Sequence, residues 1–512
     1  MTNRETHAAW KYHNATKHSE WSIRNNTHFL DWANRPLPFK IYPTLQPIPL
    51  PRDVPQTGVA ALSAMSELVR ANGVDSIPGI QDVARLLFFS AGITKQRQFP
   101  GGEIYFRAAA CTGALYEIEL YVVCADLPGL DAGVYHFNPA DASLHCLRKG
   151  NFRGNLARAT AMQAAVAHAP ATIICTGTYW RNAWKYQART YRHFGWDNGT
   201  LLANLLAVAA ASGLPAEIVL GFVDSEINGL LDLETGREVS LSLVPIGYTS
   251  QSLPRPNDAP PLGLETIPLS AREVEYPTML EMHNASSLES PEEVRDWRGK
   301  PPVFSSPAPG LQAVSLQPLP VGEQPKDTVE EVILRRGSTR TFDRTASITF
   351  AQLSTILNTA TRDLPADFLQ PTGSLNDLYL IVHAVENLNA GAYFFRREQN
   401  TLELLKEGNF RAHAHHLDLD QELAADACVD MFFLADLRRI LERYGNRGYR
   451  AVQMEAGVIG GKMYLAAYAQ HLGATGLTFF DDDVINFFSP HAEGKSAIFL
   501  VAIGKPLKRK TR

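Results

Sequence analysis

Short runs rich in β-branched and aromatic residues punctuate the chain, and two much longer apolar stretches lie among them. Leu120 to Val123, Ile173 to Thr176, Leu378 to Val382 and Ala497 to Ile503 are each flanked by turn formers, so each predicts a buried strand. The segments from Gly199 to Gly213 and from Gly457 to Leu472 are Ala- and Leu-rich and apolar on most faces. A helix with no polar face has none to turn to water, so each predicts a central helix buried on every side. Together they predict a mixed architecture of α and β elements.

These elements recur at a fixed distance. Shifted by 258 residues, Gly133, Tyr135, Phe137, Leu144, Gly150, Asn151, Phe152 and Arg153 fall on Gly391, Tyr393, Phe395, Leu402, Gly408, Asn409, Phe410 and Arg411. In the same register Tyr186, Arg189, Tyr191, Arg192 and Gly199 fall on Tyr444, Arg447, Tyr449, Arg450 and Gly457, and Phe222, Asp224, Ile227 and Asn228 on Phe480, Asp482, Ile485 and Asn486. A register held over about a hundred residues points to an internal duplication of a domain-sized unit, not to a solenoid, which needs three or more short repeats. Length agrees, because 512 residues exceed what one hydrophobic core usually supports. Residues 251–325, rich in Pro with Ser, Glu and Asp, read as a linker draped over the surface with short ordered pieces. The organisation expected is an N-terminal segment 1–54, a unit 55–250, the linker 251–325 and a second unit 326–512.

Composition narrows the classes. Hydrophobic residues make up 45% and charged residues 20%, the balance of a globular protein. A net charge of -5 leaves no electrostatic footprint for nucleic acid. Five cysteines, an odd number with no CxxC pair, argue against a disulfide framework or a zinc site and for a reducing compartment. The polar N-terminus lacks the apolar core of a signal peptide, and the apolar stretch Leu201 to Leu214 is shorter than the roughly 20 residues a bilayer requires. The expectation is a cytoplasmic protein with no nucleic-acid or membrane partner.

The strongest chemical signal is Arg335-Arg336-Gly337-Ser338-Thr339-Arg340-Thr341-Phe342. Two guanidinium groups around a hydroxyl suit a terminal phosphate dianion, since Arg donates in bidentate fashion and Ser adds a donor; an ordinary basic helix end is the alternative. Other clusters carry less. His413, His415 and His416 read as a solvated face, Asp481 to Asp483 as a turn, and Cys111 as a packing residue, so no metal site is expected.

RRGSTRTF resembles the R-x-S-x-R-x-F motif with which nitroreductase-superfamily proteins bind the FMN phosphate, which implies that role for Arg336, Ser338 and Arg340. Further segments resemble the SagB/ThcOx-type dehydrogenase branch: Tyr12-His13, Thr16-Lys17, Ser19, Asp31-Trp32, Pro36, Pro38 and Lys40 near the N-terminus; Thr112-Gly113-Ala114-Leu115-Tyr116 with Glu119 and Tyr121; the K-Y-x-x-R-x-Y-R pattern from Lys185; and Glu455-Ala456-Gly457. The sequence also departs from that pattern. The first repeat lacks R-x-S-x-R, Cys111 replaces the proline-serine start of its loop, and Arg443 replaces the lysine of the K-Y pair in the second repeat.

The resemblance implies an α+β fold of two tandem FMN-dependent nitroreductase-like domains forming an intrachain pseudo-dimer, with a further oligomer left open. One well-equipped FMN site would combine Arg336, Ser338, Arg340 and the Glu455 to Gly457 turn from the second repeat with the Thr112 to Tyr116 loop from the first. Lys505, Lys508 and Arg509 would add bases near the phosphate. Hydride transfer at flavin N5 is the implied chemistry, with Lys185 and Tyr186 as acid/base residues, and the substrate is a small molecule or a modified peptide, a thiazoline or oxazoline included. A scaffold that has lost turnover is the alternative.

Overall fold

In the computed structural model, the described residues are 2–99, 102–299, 301, 302, 304, 307–370 and 373–507. Two antiparallel sheets frame the molecule. The first orders its strands Pro47–Pro49, Ser143–Lys149, Gly133–Asn138, Ile118–Cys124, Ala171–Thr178 and Glu238–Ile246. The second orders them Gln312–Ser315, Thr401–Glu407, Gly391–Arg396, Asp377–Val382, Val429–Ala435, Ser496–Gly504 and Gly473–Leu477, the same succession with one further edge strand. All four predicted runs lie in these strands.

Why those runs are continuously apolar follows from the period of two along a strand. In Ile118–Cys124, Leu120 and Val122 face a large central core while Tyr121 and Val123 face a separate outer cluster. In Asp377–Val382, Leu378 and Leu380 face the same central core, and Tyr379 and Ile381 face a different outer cluster. Each sheet therefore has both faces covered, and one face of each contributes to a core that the two halves share.

Two long helices fill that core, Thr190–Ala211 and Arg447–Ala469, each beginning well before the segment that predicts it. They cross at glycines. A Cβ on Gly199 would meet the Gly457 backbone at 2.6 Å, and one on Gly457 would meet the Trp196 carbonyl at 2.5 Å. Glycine costs a helix about 1 kcal/mol relative to alanine, and here the absent side chain is what lets the two backbones touch. Reciprocal bonds set a second contact between the halves: Ala61 N–H donates to the Asp327 carbonyl (2.9 Å) and Val329 N–H to the Val59 carbonyl (3.0 Å).

Buried ion pairs also cross between the halves. Arg192 bonds Asp481 (2.7 Å) and the His13 carbonyl (2.7 Å), with Arg189 on the same carboxylate at 3.3 Å. Arg450 bonds Asp224 (2.8 Å) and the His283 carbonyl (3.0 Å), with Arg447 on that carboxylate at 2.6 Å. Each arginine pair thus clamps an aspartate of the opposite half. Asp481 is the first residue of the helix Asp481–Phe488, which corrects the expectation of a turn there, and the counterpart of Asp224 in the other half is Asp481, not the aligned Asp482.

Residues 251–325 are more than a surface linker. The helices Pro277–Ala285 and Pro291–Arg298 bury Met282, Val294 and Trp297 in the central core, and Trp297 donates to the Tyr444 carbonyl (3.0 Å). The segment repeats the N-terminal one: His283-Asn284-Ala285-Ser286 matches His13-Asn14-Ala15-Thr16, and both supply carbonyls to the arginine clamps. The signal was missed because this repeat has a different offset, 270. Among the described residues no helix is long and apolar enough to cross a membrane.

Candidate functional site

A cavity of about 320 Å³ lies between the halves, and its lining joins Cys111, Thr112 and Gly113, Lys185 and Tyr186, and Ser338 and Arg340. The floor is aromatic, from Trp196, Tyr464 and Phe499. Trp196 and Phe499 lie ring to ring at 5.2 Å, and Trp196 is fixed by its N–H to Gln453 (2.6 Å).

The loop from Cys111 follows its strand in a tight turn with Gly113 at φ 64° and Ala114 at φ 53°. Gly113 is required twice, by that left-handed backbone and by space: a Cβ there would meet the Tyr186 hydroxyl oxygen at 2.8 Å. Asp197, on the first central helix, anchors the loop by accepting from the Thr112 N–H (2.9 and 3.0 Å) and the Thr112 hydroxyl (3.0 Å). Leu115 is buried beneath the loop, and neither it nor Ala114 lines the cavity.

Beneath the turn, Cys111, Glu117 and Asp197 form a buried group. The thiol lies 3.3 Å from Glu117 and 3.4 Å from Asp197 and accepts from the Tyr116 N–H (3.0 Å). Burial, then Glu117, pushes the Asp197 carboxyl well up; burial, then Asp197 and Glu117, pushes the Cys111 thiol well up. The thiol is therefore held protonated, which favours packing over redox chemistry. Among the described residues these three are the group close enough together to hold a metal ion, and the His413 to His416 set is not.

Tyr186 packs edge-on to His193 (4.7 Å), with the Lys185 ammonium 5.1 Å from the Tyr186 ring centre. Burial and Arg340 lower the Lys185 pKa, whereas burial and then Asp197 raise that of Tyr186. Lys185 and Arg340 are two cations at one mouth, and among the described residues Arg340 has no hydrogen-bond partner. Among the described residues of the lining, Asp197 is the carboxyl, and burial holds its pKa up.

Three expectations are corrected. The Arg336 guanidinium does not line the cavity; it donates to the carbonyls of Ala108 (3.0 Å) and Arg107 (2.9 Å), because the motif packs directly on the other half and those carbonyls are its nearest acceptors. Glu455-Ala456-Gly457 is not a turn but the middle of the second central helix. Glu455 accepts from Ser374 (2.7 Å), Leu375 N–H (2.9 Å) and Asn376 N–H (2.9 Å), so it does for that loop what Asp197 does for Thr112, away from the cavity. Lys505 also lies outside the lining: it is exposed, its carbonyl accepting from the Asp343 N–H (2.8 Å). Lys508, Arg509, Pro371 and Thr372 lie outside the described residues.

Sequence reasoning missed Asp197, Glu117 and the aromatic floor. Asp197 was within reach, since the 258-residue register sets it on Glu455. The floor carried no signal, because Trp196 and Tyr464 are on the two central helices and Phe499 on a strand of the second half.

The family model described as "Nitroreductase family" matches residues 333–505. A crystal structure solved at 1.80 Å for a protein of Anabaena variabilis ATCC 29413, named as a nitroreductase, is similar over 98% of this chain and 99% of its own, with TM-score 0.76 and 26% identity. MJ1384 of Methanocaldococcus jannaschii, also named as a nitroreductase, is 29% identical over 168 residues, 33% of this chain and 80% of its own length. The trifolitoxin-processing protein TfxB of Rhizobium leguminosarum bv. trifolii is 27% identical over 173 residues, 31% of this chain, and the match covers 44% of TfxB. The chain carries a nitroreductase-family domain at residues 333–505, within a mixed α/β, nitroreductase-like fold.

Proposed function

We propose that this protein is an FMN-dependent oxidoreductase of the SagB/ThcOx type, a tandem duplication whose halves form one pseudo-dimer with one flavin site. The observation that carries the reading is the composite cavity, where Thr112-Gly113 and Lys185-Tyr186 of the first repeat meet Ser338 and Arg340 of the second. Its residues suit FMN: an unpartnered guanidinium and a hydroxyl for a phosphate, and Trp196, Tyr464 and Phe499 for a flat ring. Bound FMN would supply the hydride chemistry. Arg340 and Ser338 would hold the anion, Gly113 would let the backbone approach closely, and Asp197 would fix the loop. Lys185, its pKa lowered, and Tyr186 would hold or move a proton at Nζ and the phenol oxygen. The similarity to a trifolitoxin-processing protein supports a modified-peptide substrate, the azoline-to-azole oxidation that the sequence motifs suggest.

Arg340→Ala should weaken FMN binding by about 1.5–3 kcal/mol, roughly ten- to a hundred-fold, because it removes a charge-assisted contact. Titration of the stripped protein with FMN measures this, and unchanged affinity would sink the phosphate assignment. Stoichiometry gives a second expectation. With Ala60 facing Thr328 across the halves, residues 68–72 occupy the position equivalent to 336–340, and they read Leu-Val-Arg-Ala-Asn, without the Arg-x-Ser-x-Arg pattern. Extracted flavin should therefore match protein at one per chain. Arg336 and Lys505, both outside the cavity lining, favour one alternative, a flavin-free scaffold; protein that is colourless and takes up no added FMN would establish it.

A further inference from the structure

A larger cavity, of about 580 Å³, lies on the other side of the central helices, and the proposed chemistry makes no use of it. Its lining includes Lys462, on the second central helix, and Arg397, after the strand Gly391–Arg396. Lys462 is 7% exposed and, among the described residues, makes no hydrogen bond and no ion pair. Nη2 of Arg397 is likewise buried without a partner. Arg362 adds a third cation at the exposed rim.

Burying an ammonium unpaired is costly, and proteins ordinarily avoid it by pairing or by burying a neutral group. Here burial, followed by Arg397 and Arg362, lowers the Lys462 pKa to about 8, with Asp363 acting in the opposite sense. The carboxylates that line the cavity, Glu67, Asp363 and Glu398, are exposed at its mouth, and among the described residues Glu67 and Glu398 form no ion pair with Lys462 or Arg397. Glu455, buried near Arg397, is already committed to the 374–376 loop. The cavity thus has a cationic, under-satisfied floor. Its wall is of a different character: Ala203, Leu206 and Ala207 of the first central helix present an apolar face.

We propose that this cavity binds a small organic anion, a carboxylate or a phosphate ester, with its acid group on Lys462 and Arg397 and its apolar body against Ala203, Leu206 and Ala207. Flavin is not the occupant, since Leu68 and Val69 line the cavity where the phosphate motif stands in the other site. The ligand supplies the counter-charge that the fold withholds from Lys462.

Thermal unfolding of the full flavin-loaded chain tests this, with benzoate, octanoate and phenyl phosphate as probes and inorganic phosphate and chloride at equal ionic strength as controls. At least one organic probe should give a saturable rise of about 2 °C or more that neither control gives. The acid group of the probe that succeeds separates a carboxylate ligand from a phosphate ester. Lys462→Met should abolish the rise while leaving the ligand-free protein as stable as wild type or more so, because a thioether replaces an unpaired ammonium. Arg397→Gln should weaken the rise and serves as the second variant if Lys462→Met does not fold. No rise with any organic probe, an equal rise in wild type and Lys462→Met, or a rise with inorganic phosphate alone would each overturn the proposal. So would two flavins per chain with one lost in Lys462→Met.

Discussion

Replacing Lys185 by Ala, or Tyr186 by Phe, should lower turnover by about 10²- to 10⁴-fold, the usual cost of losing a positioned acid or base. Flavin content should stay at the wild-type level, because the groups proposed to hold the anion, Ser338 and Arg340, lie on the opposite half. The structure supplies the control. Arg443 and Tyr444 stand at the equivalent positions, but the Tyr444 hydroxyl donates to the Phe368 carbonyl (2.7 Å) in a buried environment and Arg443 donates to the Trp297 carbonyl (3.2 Å). Tyr444→Phe should therefore cost about 1 kcal/mol of stability through one lost hydrogen bond and leave turnover per folded molecule unchanged. Steady-state rates normalised to bound flavin decide the matter. Full activity in both Lys185→Ala and Tyr186→Phe, or its loss in Tyr444→Phe, would mean that the proton-handling residues belong to the other half.

Asp481→Ala should destabilise the protein by about 3–5 kcal/mol, the effect of removing one partner from a buried ion pair. Arg192 is fully buried and Arg189 nearly so, and the variant leaves both guanidinium groups without their carboxylate. The contrast lies one residue away: Asp482 is 69% exposed, pairs with Lys17 on the surface, and its replacement by Ala should cost under about 1 kcal/mol. Urea midpoints of the two variants measure the difference. Comparable midpoints would show that the clamp between the halves contributes little to stability. Acid should reproduce the larger effect. Burial raises the Asp481 carboxyl, but Arg192 and Arg189 outweigh it and hold the pKa below its ordinary value. A depressed folded-state pKa contributes stability that is complete above the unfolded value, about pH 4, and is lost as pH falls toward the folded one.

Local chemistry by itself determined a good deal. The continuous apolar runs marked strands covered on both faces, and the two long apolar segments marked the central helices, because burial on every side leaves the same imprint wherever the element packs. The 258-residue register was legible because matching environments in two halves select matching residues, and it aligns Arg189 and Arg192 with Arg447 and Arg450, two pairs that each bond a buried aspartate of the opposite half. The motif residues Thr112, Gly113, Lys185, Tyr186, Ser338 and Arg340 were singled out through the family resemblance, although 152 residues separate Tyr186 from Ser338.

Only the tertiary structure decided which of these residues meet. Glu455 and Asp197 answer to each other in sequence, yet they anchor loops at opposite sites, because the two halves face each other and each loop falls on its own helix. Arg336 has the spacing of a phosphate ligand, but packing sets the Arg107 and Ala108 carbonyls within its reach, and a guanidinium takes the acceptors that lie nearest. Asp481 rather than Asp482 became the clamp because the helix starting there turns one carboxylate inward and the next to solvent. Nothing in the spacing of Lys462 marks it as a buried cation without a partner among the described residues, for a lysine's pairing is a property of everything folded around it and not of its neighbours along the chain.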